Sequence, residues 1–329
     1  MRVLDADADR ARWCRLWEQC GSEPFAHPAY GRLVAQPGER PVALELGLPG
    51  GAALLPLILR PVPGGHHDAT SPYGYGGPFF AGAADLGGVL DAVTRWAASE
   101  RLCSVFLRLS PGPAPAPRPD VVAVSRTVVV DLRRDPEQLW RGYEHKVRKN
   151  VRKAQRAGCT VHHLDLSTEA DDFLRVYAAT MRRRAAAAWY HFGRDFFAGL
   201  ATGLAGSWSA FAVRDADGRT VSAELVLESE RHLYSYLGGT LEDAFPMAPN
   251  DLLKHEIAGY GAATGRHGFV LGGGHRDGDG IFRYKRSFDP QGVRPFHVAR
   301  IIGDRRLYAD LVRHRGAAGT EFFPAYRAP

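Results

Sequence analysis

Lys285 lies in the segment Ile281-Phe-Arg-Tyr-Lys-Arg-Ser-Phe288, flanked by Phe282, Tyr284 and Phe288. An ammonium drawn partly out of water by aromatic neighbours stabilises an oxyanion better than one in open solvent. A surface lysine whose stem lies over aromatic rings has the same signature, so both readings stand at this point. Just upstream, Gly272-Gly273-Gly274 follow a strand-like run and permit close approach of the backbone to a ligand. The run Leu233-Tyr-Ser-Tyr-Leu-Gly-Gly-Thr240 places Tyr234 and Tyr236 on one side of a strand that stops at a glycine pair. Those tyrosines either bond a ligand or pack across strands. GxSxG is absent, and His66-His67 belong to no nucleophile set, so a covalent mechanism lacks support.

A second chemical feature is a field of cations. Arg141, Lys146, Arg148, Lys149, Arg152, Lys153 and Arg156 face one acid, Glu144. Leu139, Tyr143, Val147, Val151 and Ala154 form one helical stripe through the same segment, with Asp135 as cap, Pro136 at the first turn and Gly158 as stop. The predicted helix buries that stripe and presents its cations to a polyanion: RNA, a nucleotide pyrophosphate or an acidic surface. A solvated basic face is the plain alternative. His275-Arg-Asp-Gly278-Asp-Gly280 has a likeness to the pyrophosphate loop of acyl-CoA acetyltransferases. His replaces the usual leading Arg or Gln, however, and no helix is predicted to open at Gly280, so a turn between strands reads equally well.

The elements that must position these residues follow from periodicity. Helices are predicted at 10–20, 28–36, 84–100, from Asp135 to Gly158, and at 168–186, 193–203, 249–264 and 304–314. Strands are predicted at 41–47, 52–60, 104–109, 125–132, 159–164, 209–214, 220–228, 231–238, 268–271 and 295–302, with 61–70 read as a loop. The Pro-rich stretch 111–119 reads as a linker. Helices, meandering strands, a helix and a further strand recur in both halves. The expected fold class is therefore α/β in the α+β sense, with two similar units built on mixed, largely antiparallel sheets. The domains are expected at 1–124 and 125–302, with 303–329 packing back on the first.

The 329 residues, 45% hydrophobic and 24% charged with a net charge of +6, fit a globular chain of two domains. The 4 cysteines show no CxxC pairing, so neither a zinc site nor a disulfide framework is expected. Asp5, Asp7, Asp9 and Arg10 break any signal-like apolar run, no stretch is long enough to span a bilayer, and a soluble cytoplasmic protein is expected.

Together and in order, KVRKNVRKAQRAGCTV (146–161), MRRRAAAAWYHFGRDFF (181–197), LYSYLGGT (233–240) and LGGGHRDGDGIFRYKRSF (271–288) resemble the FemABX family of aminoacyl-tRNA-dependent transferases. The resemblance implies a pair of GNAT-like domains sharing a cleft and transfer of an amino acid from its tRNA ester to an amine. It also places the family's catalytic Phe-Lys pair at Tyr284-Lys285. Lys285 is then the catalytic candidate. Tyr73, Tyr75, Arg194, Tyr234, Tyr236, Gly238, Gly273, His275, Phe282 and Tyr284 are the substrate-binding candidates. Lys146, Arg148, Lys149, Arg152, Lys153 and Arg156 are the candidates for tRNA or nucleotide phosphate. No metal or resident cofactor is expected; aminoacyl-tRNA is the co-substrate. The family's coiled-coil arm is missing, which turns the acceptor towards a small peptide or secondary metabolite as much as a cell-wall precursor. The alternatives are an acyl-CoA-dependent transferase using 275–280 as its pyrophosphate loop, and a non-catalytic RNA-binding protein.

Overall fold

The computed structural model describes residues 1–112, 115–166, 168–317 and 319–328; positions 113 and 114 of the Pro-rich stretch lie outside them. The strands are β1 (Arg2–Asp5), β2 (Arg40–Leu48), β3 (Gly51–Val62), β4 (His66–Thr70), β5 (Phe79–Gly82), β6 (Ser104–Arg108) and β7 (Val121–Asp131), followed by β8 (Thr160–His163), β9 (Trp208–Arg214), β10 (Thr220–Glu228), β11 (His232–Thr240), β12 (Gly268–Gly272) and β13 (Val293–Ile302). The helices are α1 (Arg10–Gln19), α2 (Pro28–Val34), α3 (Leu86–Ser99), α4 (Pro136–Gly142) and α5 (His145–Arg156), then α6 (Ala170–Arg183), α7 (Arg194–Gly203), α8 (Pro249–Ala263), α9 (Gly280–Arg286) and α10 (Arg305–Arg315).

The chain divides into two compact units, Met1–Ser125 with Pro295–Pro329, and Arg126–Arg294. In the first unit the strand order is β1-β2-β3-β4-β6-β13, with β5 added to β3. Its core packs Leu44, Leu55, Leu57, Val105 and Leu107 of the sheet against Val89, Val93 and Trp96 of α3. Residues 61–70 are not a loop: Gly64 and Gly65, at φ +84° and +76°, make a tight turn, and β4 returns along β3 from Val62↔His66 to Ile58↔Thr70.

The second unit runs β7-β12-β11-β10-β9-β8, antiparallel except where β11 and β12 lie parallel. Parallel neighbours need a crossover, and α8 supplies it. Every residue of β10 is buried, so both faces of this central strand are covered. That explains its near-continuous apolar run. The mixed, mainly antiparallel α/β architecture expected from the sequence is thus present in both units.

The basic segment departs from the single helix expected for it. Asp135 forms a full capping box with Gln138 at the start of α4, but Tyr143 and Glu144 are extended and α5 begins anew at His145. Tertiary anchoring overrides the stripe here. The Tyr143 ring is buried edge-on to Phe288 and His255, while the Glu144 amide donates to Ser287 O at 2.8 Å. Leu139, Val147, Val151 and Ala154 are nevertheless all buried, and Gly158 ends α5 at φ +76°.

Helix α6 lies tightly on the end of β11. A Cβ on Gly239 would fall 2.1 Å from Thr180 Oγ1 and 3.0 Å from the Val176 carbonyl. Gly239→Ala is therefore expected to destabilise the protein by about 1–3 kcal/mol through overpacking, read as a lowered denaturation midpoint. An unchanged midpoint would show that α6 yields freely.

Candidate active site

The β11–β12 pairing spans His232↔Gly268, Leu233↔Phe269 and Tyr234↔Val270, and no further pair is formed among the described residues. The strands part towards their carboxyl ends, the region where open α/β sheets hold ligands. Lys285 sits there. Helix α9 carries it back over β12, and its Nζ donates to the carbonyl of Gly273 at 2.7 Å. The residue keeps partial surface exposure, yet dense packing around the ammonium, followed by the nearby charge of Lys254, lowers its pKa to about 8. Glu224 and Asp279 act in the opposite direction. Desolvation and a like charge are the two influences expected to weaken an ammonium.

Lys254 on α8 is 6% exposed and Glu224 on β10 is 4% exposed. The Lys254 ammonium bonds the Glu224 carboxylate and donates to Ser235 Oγ at 2.7 Å, with the Phe269 ring 5.4 Å away. A buried charge pair of this kind persists only because each ion satisfies the other. One turn earlier on α8, Asp251 accepts from Asn150 Nδ2 at 3.1 Å, and burial pushes its carboxyl up to about 6 against that hydrogen bond and the charge of Lys146. Asn250 Nδ2 donates to Tyr284 Oη at 2.8 Å. Burial first, then the carboxylates of Asp251 and Glu224, hold the Tyr284 phenol above its ordinary pKa. The site thus contains a buried lysine and a partly buried one, a paired glutamate, an aspartic acid, a tyrosine and two asparagines. Of these, only Lys285 and Tyr284 are legible from motifs. Glu224 does leave a trace: an acid inside the buried run Thr220–Glu228 must find a cation.

The glycine-rich segment differs from its expected form. Asp279 caps a helix, α9, in place of the strand-to-strand turn. Its Oδ2 accepts from the amides of His275 at 2.7 Å and Arg276 at 3.0 Å, and its Oδ1 from Phe282 at 2.8 Å. The donors that a phosphate would need are held by the protein's own carboxylate. His275 is exposed, and Gly273 is required because a Cβ would lie 2.5 Å from Arg126 O. Phe282 is buried beneath the Arg126 guanidinium, 4.6 Å from its ring centroid. Gly238 has the same kind of structural reason, since a Cβ would meet Ala223 O at 2.5 Å.

The two tyrosines of β11 occupy different settings. Tyr234 is buried within the β11–β12 pairing, whereas Tyr236 falls where the register with β10 shifts, and its charge contributes to raising the Tyr177 phenol, behind the larger effect of burial. Arg194, at the head of α7, pairs with exposed Asp171 of α6. Tyr73 and Tyr75 belong to the first unit, where the Tyr73 carbonyl accepts from Tyr30 and the Tyr75 ring meets Phe25 and Phe296 edge-on.

On α5, Lys146, Lys149, Arg152, Lys153 and Arg156 are exposed. Arg152 also lies over the Trp140 ring at 5.3 Å. Arg148 serves the fold instead, donating to the carbonyls of Tyr143 and Arg141 and so capping the end of α4.

Residues 141–286 match a family model described as an acetyltransferase (GNAT) domain. FemX is similar in structure over 94% of this chain and 99% of its own, with a TM-score of 0.69 and 13% identity. The chain has a FemX-like tandem GNAT fold. L-PGS from Bacillus licheniformis is similar at a TM-score of 0.58 and 14% identity, covering 92% of this chain and 94% of that one. A tandem GNAT protein from the clavulanic acid biosynthesis pathway is similar at 0.50 and 13% identity, covering 91% and 98%. No curated protein matches by sequence. Among the described residues no helix is long and apolar enough to cross a membrane.

Proposed function

We propose that this protein is an N-acyltransferase that takes an aminoacyl group from a charged tRNA and places it on the amine of a small molecule or peptide. The observation that carries the reading is Lys285, an ammonium removed from bulk water at the parting ends of β11 and β12. An aminoacyl ester is already activated. Attack by an amine on its carbonyl carbon forms a C–N bond and a tetrahedral oxyanion, and collapse breaks the ester C–O bond. The amine's proton passes to the departing ribose oxygen. Such a reaction needs positioning and charge stabilisation but no enzymic nucleophile.

Two observations favour a tRNA donor over acyl-CoA. The amides of His275, Arg276 and Phe282 are already held by Asp279, and the turn ahead of α8 opens on the acids Glu242 and Asp243, a setting unfavourable to a pyrophosphate. The five exposed cations of α5, by contrast, suit the phosphates of an acceptor arm.

The test incubates the protein with a pool of radiolabelled aminoacyl-tRNAs and candidate amines, with and without ribonuclease. Transfer abolished by ribonuclease is expected. Ribonuclease-insensitive transfer supported by acyl-CoA would overturn the assignment. In parallel, the combined Lys149→Ala, Arg152→Ala and Lys153→Ala variant is expected to weaken tRNA binding. It should also flatten the plot of log affinity against log salt by roughly two to three units, at about 0.7–0.9 for each phosphate no longer neutralised. An unaltered slope would remove α5 from the RNA-binding surface.

A further inference from the structure

We propose that the second unit holds a further binding site, a cavity beside the carboxyl-terminal half of α8 that takes a small, largely apolar carboxylate. The cavity has a volume of about 570 Å³, within the ordinary size of ligand pockets. Leu132, Pro136 and Leu139 wall it from the α4 side, and Gly259, Ala262 and Ala263 from α8. The candidate active site draws instead on the first turns of α8, through Asn250, Asp251 and Lys254.

Gly259 keeps the space open. A glycine inside a helix weakens it relative to alanine, so an interior glycine calls for a reason. Packing gives none, because a Cβ at this position would meet no atom within 4 Å. Gly259 borders the cavity, and a larger side chain there takes up its space.

His255 supplies a hydrogen-bond donor to this apolar setting. Tyr143 Oη lies 3.3 Å from His255 Nδ1 and has no other partner among the described residues. The buried phenol therefore donates to Nδ1, which leaves the proton of the neutral ring on Nε2. Burial lowers the pKa of His255 against the charge of Glu256 and so keeps the ring neutral. Nε2 is accessible and makes no bond among the described residues. A donor in an apolar wall asks for an acceptor on the ligand.

Arg134 gives that acceptor its charge. Of the arginines lining the cavity, Arg133 is paired with Asp131 and Arg266 with Glu228, while the lining acid Asp135 caps α4. Arg134 makes one bond, from Nη1 to Asp289 at 3.0 Å, and its other guanidinium donors make none among the described residues. A guanidinium with donors to spare selects a carboxylate. An amide would satisfy His255 but not this cation.

The test is isothermal titration calorimetry of the full-length protein with benzoate and octanoate, each beside its amide. The carboxylates are expected to bind about tenfold more tightly than the amides, the value of one charge-assisted hydrogen bond. Gly259→Leu is expected to abolish binding while the denaturation midpoint holds or rises, since leucine is the better helix former. His255→Phe keeps the ring, removes its nitrogens and is expected to weaken binding about tenfold. Should Gly259→Leu fail to fold, His255→Phe decides alone. No binding of either carboxylate at millimolar concentration would overturn the proposal, as would binding undiminished in either folded variant. Amides that bind as tightly as the carboxylates would equally overturn it.

Discussion

Lys285→Met is expected to lower kcat/KM for aminoacyl transfer by about 10²–10³, the usual loss when one preorganised oxyanion partner is removed. The length of the side chain is kept and the charge is deleted, so the substitution isolates electrostatics from packing. The Gly273 carbonyl gives up its partner but lies at a partly exposed strand end, where water can replace it. Circular dichroism and affinity for uncharged tRNA are accordingly expected to match wild type. The sign of the pH dependence follows from the same residue. Catalysis that needs the ammonium is retained below about 8 and declines as pH rises through that value. The decline is expected to be missing from the residual activity of the methionine variant. Full turnover by Lys285→Met would show that the site stabilises its oxyanion by other means.

The resemblance to known transferases is carried by segments whose backbone does something specific, and these are the most legible parts of the chain. Gly158 stops a helix in a left-handed conformation, Gly238 and Gly239 admit neighbouring backbone and Thr180, and Gly273 admits Arg126. Each has a one-residue signature. The buried lysine–glutamate pair does not. Glu224 and Lys254 are 30 residues apart, on a strand and a helix, and only the sheet order brings them together. Periodicity marks Lys254 as one polar position on an amphipathic helix and cannot say that it faces inward. The same limit applies to Tyr143. Its place in the apolar stripe of the basic segment is clear from spacing, but the break of the helix comes from the bond to the turn at Ser287, more than 100 residues away. The loop at 275–280 illustrates the opposite failure. Its glycines suggest an open phosphate cradle, while the informative residue is Asp279, an ordinary helix cap standing three positions before Phe282.

In the first unit the largest single loss of stability is expected from Asp68→Ala, at about 3–5 kcal/mol, the cost of leaving buried charges without their partner. Asp68 on β4 is fully buried. Its carboxylate takes two bonds from Arg60, at 2.8 and 3.1 Å, and two from Arg327, at 2.6 and 3.2 Å. It also accepts from Tyr326 Oη at 2.7 Å, and Tyr326 shares a further bond with Ser104 at 2.8 Å. One short side chain thus ties two arginines and a tyrosine from β3 and the carboxyl-terminal residues to the sheet, with Tyr308 of α10 stacked on Phe323 and edge-on to Tyr326. Alanine removes every one of these acceptors at once. The two guanidiniums, partly buried, are left without their anion, and the tail without its anchor. The expected result is a lowered denaturation midpoint together with rapid proteolytic trimming of residues after Arg315 at temperatures where wild type resists. Asp68→Asn keeps the shape and two of the lone pairs, so it is expected to fall between the two. If Asp68→Ala kept the wild-type midpoint and an intact tail, the carboxyl-terminal segment would be held by Tyr308, Phe323 and the apolar packing of α10 alone, and the ion cluster would be incidental to the fold.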